Sequence, residues 1–393
     1  MKTDLPQNIT GQEYLALSED KRAVYRPIDS KYEHLPKFAR IFYILGGVSL
    51  LLYIIMMLSE SFSDWFNMTV SSAFRIVFAH LTSWLPFSLG EFIIWMLPIF
   101  LFLALRHALR KCLDSWRCVI VFIGTVMSVI VLLFSIFVFN FAAGYRGTGL
   151  DEKLDIDRTN IGTDELYELA GELAEKINEI ESEVDFGADG FSVMPYSISD
   201  MNGLLIEAYD RVSDKYDFIS NTPTRLKPVL LSEVMSHMHI TGVYSFFTGE
   251  ANINVGFPDY TIPFTAAHEL AHQRGIAKED EANFVAYLVC MESDDLYIQY
   301  CAYLNMFEYV CNALDRADKQ LYRQVYGELD GSVQREMAAY GDFYEKYRHS
   351  AARVVSGTVN DAFLQSQGTA GTVSYGMVVE LAVGYHRKLH AVE

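Results

Sequence analysis

Three long runs of apolar residues constrain this chain more than any other feature. They are Ile41–Leu58 (IFYILGGVSLLLYIIMML), Phe92–Leu109, interrupted by Pro98, and Cys118–Phe141 (CVIVFIGTVMSVIVLLFSIFVFNF). A helix needs about 20 mostly apolar residues to cross a bilayer, and each run is near that length. Buried core helices are the alternative. Three such runs in succession, almost free of charge, argue for spans. Arg106 sits near the end of the second run, where its long stem can reach the interface. The first run does not read as a cleaved signal peptide: it begins about 40 residues in, lacks a small-residue cleavage site, and is followed by further spans.

Charge divides the chain at the same place. Residues 1–141 hold 12 Lys and Arg against 10 Asp and Glu, whereas residues 142–393 hold 19 against 40. The second part therefore reads as an acidic, water-exposed domain. Nucleic acid is excluded as a partner, because binding it needs a positive surface.

Basic flanks set orientation. The first 40 residues carry seven Lys and Arg, and Arg106, Arg110, Lys111 and Arg117 cluster between spans two and three. The loop between spans one and two carries Arg75 alone, with Glu60 and Asp64. The expectation is a multi-pass protein of the cell membrane: a cytoplasmic segment 1–40, a membrane domain 41–141 and an extracytoplasmic domain 142–393. Residues 64–89, apolar and aromatic but containing Arg75 and His80, read as an amphipathic helix lying on the outer interface. Cys112 and Cys118 flank the start of the third run. Cys290, Cys301 and Cys311 lie in apolar helical stretches without CxxC spacing and read as core residues, one disulfide among them remaining open.

In the outer domain, apolar residues at 166, 169, 170, 173, 177 and 180 predict an amphipathic helix capped by Thr163. Ser199–Tyr216 predicts a second. Residues 217–262 are interrupted by Pro223 and Pro228, then turn aromatic and β-prone, which predicts two or three short strands. From Phe264 the chain reads as helical nearly to its end, with breaks at Gly327, Gly331 and 368–372. The expected fold is mainly α: a three-span bundle followed by a mostly helical α+β domain with a small sheet.

Within that domain lies TAAHELAHQRGIAKEDEANFVAYL, Thr265–Leu288. His268 and His272 are four residues apart, so on a helix both imidazoles share one face, a spacing that holds zinc. Glu269 is rotated by about 100° from His268. It is placed to reach a metal-bound water, whose pKa zinc lowers towards about 7, rather than the metal itself. A third ligand is needed. Gly275 ends the first helix and a second follows, in which Glu279 and Asn283 share a face: Glu279 as ligand, Asn283 supporting it. Glu281 is the second choice and Asp280 the third. The polar and charged flanks Asp259, Gln273, Arg274, Lys278 and Glu279 put the motif in water, not inside a span.

The stretch FFTGEANINVGFPDYTIPFTAAHELAHQRGIAKEDEANFVAYL, behind three spans, resembles the bacterial membrane family labelled domain of unknown function 3810. That family resembles the gluzincin-type zinc metallopeptidases, in which HExxH is completed by Glu-x-x-x-Asp or Glu-x-x-x-Asn. The resemblance implies a zincin-like domain with Zn²⁺ on His268, His272 and Glu279, Glu269 as general base, and Asn283 as support. Six residues separate His272 from Glu279, fewer than in most such peptidases. Lys278 occupies the place where a metzincin would carry its third ligand.

In such peptidases an edge strand before the active helix binds extended substrate by backbone hydrogen bonds. Ala251, Asn252 and Asn254 are the candidates here. Tyr375, with His386 as the other C-terminal choice, is the candidate to stabilise an oxyanion. His386 and His390 are again four apart, but on a Lys/Arg-bearing tail that reads as a solvated face. His237 and His239 read as structural. The expected function is a membrane-anchored zinc metallopeptidase acting on peptides or proteins. The alternatives are a receptor or scaffold with a structural zinc, and a metal-dependent amidase of the cell envelope.

Overall fold

The computed structural model describes residues 8–9, 16–17, 26–27, 34–111, 116–222 and 224–391. Most of the segment 1–40, the turn at Pro223 and Cys112 lie outside the described residues. The chain forms two compact units, Met1–Ile55 with Glu91–Phe139, and Met56–Gly90 with Asn140–Glu393.

The first unit is built on three helices: α1 (Lys37–Leu58), α4 (Leu89–Lys111) and α5 (Trp116–Asn140). Lys37–Leu58, Leu89–Arg110 and Trp116–Asn140 are each long and apolar enough to cross a membrane. Little of their apolar surface is covered by protein; Ile44, Leu51, Ile94, Phe102 and Ile130 are all exposed. Lipid makes no demand that such side chains be buried, so burial is not what holds spans together. Close approach is: Gly46 leaves room for Val131, and Tyr43 Oη donates to the Gly124 carbonyl at 2.7 Å.

The second unit opens with α2 (Glu60–Phe66) and α3 (Ser72–Ser83), joined by a π-helical turn at Asn67–Ser71. The segment read from sequence as one amphipathic helix, residues 64–89, is thus divided, and its last helix ends at Ser83. Arg75 is 1 % exposed and points into the unit. The outward face instead carries Trp65, Phe74, Val77, Leu81 and Trp84.

The rest of the unit is helical around a three-stranded sheet. After α6 (Leu150–Leu154), α7 (Thr163–Glu181) presents the predicted apolar face to the core. Its cap is Gly162 rather than Thr163, and Glu165 reaches back to accept from the Gly162 N–H at 2.8 Å. Helix α8 (Ile198–Lys215) follows, capped by Ser197. The sheet comprises β1 (Lys227–Pro228), β2 (Gly242–Ser245) and β3 (Glu250–Ile253), in the order β1-β3-β2. A short helix, α9 (Ser232–His237), connects β1 to β2.

Strand β3 pairs parallel with β1 and antiparallel with β2, Tyr244 opposite Ala251. Beneath the sheet runs α10 (Thr261–Gln273), then α11 (Glu279–Met291) and α12 (Leu296–Ala317), which packs along α7. Helices α13 (Lys319–Glu328), α14 (Gly331–Tyr347), α15 (Ala351–Ser366) and α16 (Val378–His390) complete it. Cys290, Cys301 and Cys311 are buried thiols in α11 and α12, with no disulfide.

Candidate metal centre

Helix α10 carries the His-Glu-x-x-His motif and is buried along its length. Its alanines make that possible: Ala266, Ala267 and Ala271 are fully buried and let β3, α11 and α12 approach closely. The Tyr209 hydroxyl donates to the Ala267 carbonyl at 2.6 Å. The helix stops directly after the second histidine. Gly275 takes φ +95°, its N–H bonds the His272 carbonyl at 2.9 Å, and the Ile276 N–H bonds the Ala271 carbonyl at 3.1 Å. This is a glycine-terminated Schellman turn. It also places the Ile276 carbonyl 2.7 Å from His272 Nδ1, which takes the Nδ1 proton and leaves Nε2 to face the centre.

Helix α11 begins at Glu279, so the short spacing is bridged by the turn alone. Glu279 Oε2 lies 3.2 Å from His268 Nε2 and 3.3 Å from His272 Nε2. Neither approach has hydrogen-bond geometry, and Oε2 is left buried without a partner. Buried polar atoms are rarely left so. Ligands at about 2.0–2.1 Å around a tetrahedral zinc stand about 3.3 Å apart. The three side chains, whose ligand atoms all lie within 4.8 Å of one another, thus fit a metal ion.

Electrostatics follow the geometry. Burial works against charge on Glu279, yet His272 and His268 hold its carboxyl well below the ordinary range. Burial likewise opposes the His272 cation, but Glu279 raises it to about 9. His268 is driven the other way, by burial and by its neighbour His272. Glu269 is pushed up to about 8 by burial, against the pull of His272 and of the Tyr244 backbone N–H. One Glu269 oxygen, Oε2, has no partner. Gly242, at the start of β2, lies directly on this carboxylate: a Cβ there would stand 2.6 Å from Glu269 Oε1.

The other expected residues separate into two groups. Asn283 is at the centre, donating to the Tyr309 hydroxyl at 3.2 Å and the Tyr375 carbonyl at 3.3 Å. Tyr375 is there too: its ring stacks on His268 at 6.4 Å, Asn360 donates to its hydroxyl, and burial with the nearby Glu279 raises its pKa. Glu281 is not. It accepts from the Leu150 N–H at 3.0 Å and pairs with Lys278 at 2.9 Å. Asp280 pairs with Arg158. Ala251 and Asn252 lie on β3, the central strand, whose two edges are both paired. The Asn252 amide donates to the Val243 and Glu250 carbonyls. Asn254, just beyond, bonds Ser236 and the Ile240 carbonyl. The edge strands are β1 and β2. His237 and His239 pack on Tyr347 and Tyr344.

Three features escape a reading of the sequence. Tyr145, just after α5, is buried against Phe141 and Phe363; its pKa is raised by burial and by Glu279 close by. Phe141 packs edge-on against the His272 ring at 5.7 Å. Third, Arg75 is buried, and its guanidinium donates to amide and carbonyl oxygens. Its Nη1 donates to Asn67 Oδ1 at 2.8 Å and to the Asn140 carbonyl at 2.9 Å, and its Nη2 to the Asn67 carbonyl at 2.9 Å. The Asn67 amide donates to the Gly275 carbonyl at 3.0 Å, and the Tyr244 hydroxyl to Asn140 Oδ1 at 2.9 Å. The π-helical turn that supplies Asn67 is therefore bonded to the turn that orients His272.

The fold and site together define a mainly helical protein with three candidate spans and one His-His-Glu metal-ligand set beside a buried glutamate. The chain belongs to the family described as Protein of unknown function (DUF3810), whose model matches residues 66–383. No curated protein and no solved structure matches it.

Proposed function

We propose that this protein is a membrane-anchored zinc metallopeptidase, with a zincin-like domain that works on the outer side of the membrane. The observation that carries the reading is the convergence of His268, His272 and Glu279 on one point, with the Glu269 carboxylate next to them and no fourth protein ligand among the described residues. A zinc set closed by four protein ligands is structural, whereas three leave a position for chemistry. Glu281 and His237, which would favour a structural zinc, are engaged elsewhere.

A zinc ion held by these residues supplies Lewis acidity to a substrate carbonyl and acidity to a bound water. Glu269 takes a proton at its free Oε2 and returns it to the leaving amine. Tyr375 and Tyr145 both sit beside Glu279, and their hydroxyls are the candidates to donate to a developing oxyanion. Extended substrate pairs with the outer edge of β2, whose Val243 is exposed, and not with β3. The apolar face of α2 and α3 lies on the outer membrane interface, with Trp65 and Trp84 at its ends. The Lys and Arg flanks orient the spans with the N-terminus in the cytoplasm.

The test is cleavage of unfolded casein by the full chain in detergent. Wild type should cut, while a chelator or Glu269→Gln should abolish cutting. Cleavage that survives Glu269→Gln would exclude the proposed base.

A further inference from the structure

A second set of metal-ligand side chains lies outside the candidate centre. His386 and His390 stand one turn apart at the end of α16, ring centroids 4.3 Å from each other. Glu172, on α7, completes the group from the other end of the domain sequence. Its Oε1 lies 2.9 Å from His386 Nε2 and 3.1 Å from His390 Nε2. The three ligand atoms all lie within 4.8 Å of one another.

The basic residues of this tail do not occupy the site. Arg387 turns to Glu165 and to the carbonyls of Asp157, Thr159 and Asn160. Lys388 donates to the Leu154 carbonyl. His386 is largely covered, whereas Glu172 and His390 are half-exposed, so the group is open to solvent. Two imidazole nitrogens with one carboxylate oxygen suit zinc and its neighbours rather than magnesium or calcium, which take oxygen ligands.

We propose that Glu172, His386 and His390 form a second site, for a zinc-class divalent cation, that clamps the last turn of α16 onto α7. Its role is structural. Helix α16 follows directly on the segment Gly371–Met377 that carries Tyr375, so the clamp fixes the covering of the first centre from a distance. An ion bound only by the folded state stabilises it by mass action.

The experiment counts zinc bound to the untagged full chain in detergent after dialysis at one buffered free-zinc level. The proteins are wild type, Glu172→Ala, His390→Ala and His268→Ala. Glu172 and His390 are exposed enough that their replacement leaves the fold intact. The site predicts that Glu172→Ala and His390→Ala each bind one zinc fewer than wild type, and that zinc raises their melting temperature less. His268→Ala tests the other centre, so its result is read separately. Equal zinc content in wild type, Glu172→Ala and His390→Ala would overturn the proposal and leave one hydrogen bond and one ion-pair contact to Glu172.

Discussion

Replacing Gly275 by alanine tests the geometry that positions His272 without assuming any activity. The residue takes φ +95°, and an added Cβ would stand 2.5 Å from Arg75 Nη2, 2.6 Å from Asn67 Oδ1 and 2.7 Å from Arg75 Cζ. Two costs combine. Holding alanine in a sparsely populated backbone region costs about 1–3 kcal/mol. Forcing a methyl into a packed, hydrogen-bonded cluster costs about 1–3 kcal/mol more. A loss of about 4 kcal/mol is expected, a large part of a typical stability of about 5–15 kcal/mol. At roughly 2–4 °C per kcal/mol for a domain of this size, the helical melt followed by circular dichroism in detergent should fall by about 10 °C. Zinc affinity should fall with it, because the Ile276 carbonyl that holds His272 Nδ1 belongs to the same turn. A melting temperature within a degree or two of wild type would refute this account of the turn.

Other perturbations probe separate parts of the structure. Arg75→Met removes the donor that Asn67 and Asn140 share; it should cost about 3 kcal/mol by stranding buried carbonyls, and Gly275→Ala should cost less in that background than in wild type, as a double-mutant cycle would measure. Gly242→Ala should displace Glu269, so metal content holds while casein cleavage drops at least tenfold. Glu308, paired with Tyr260 at 2.8 Å, is raised by burial to about 7 from 4.5. Because its folded value is the higher one, its contribution is full below pH 4.5 and is lost as pH rises through about 7. Partial exposure of the residue leaves an effect of about 2 kcal/mol, so Glu308→Gln should melt above wild type at pH 8 and level with it near pH 4.

Much of the centre was legible because it is local. His268, Glu269, His272 and Gly275 fall within one helix and its stop signal, and Glu279 opens the next helix, so helical period alone places them. Asn283 follows by the same spacing. The three candidate spans were legible because length and composition suffice to mark helices of that kind. What sequence could not supply is non-local. Whether residues 251–253 form an edge or a centre depends on β1 and β2, which lie outside that strand, and the structure puts them in the centre, with Asn254 just beyond. The periodicity of residues 64–89 marks two faces but not which one meets protein, and Arg75 proved to lie on the inner one. Nothing in the local sequence marks Tyr145, which the fold brings beside Glu279. Glu172 and His386 are 214 positions apart, so no spacing rule joins them.

The most direct test of the central claim measures zinc content and casein cleavage in the same preparations of wild type, His272→Ala, Glu279→Gln and Glu269→Gln. The account predicts that His272→Ala and Glu279→Gln each lose one zinc together with cleavage, whereas Glu269→Gln keeps the zinc of wild type and does not cut. Zinc content unchanged by His272→Ala and Glu279→Gln would contradict it, because the convergence of these side chains would then hold no metal.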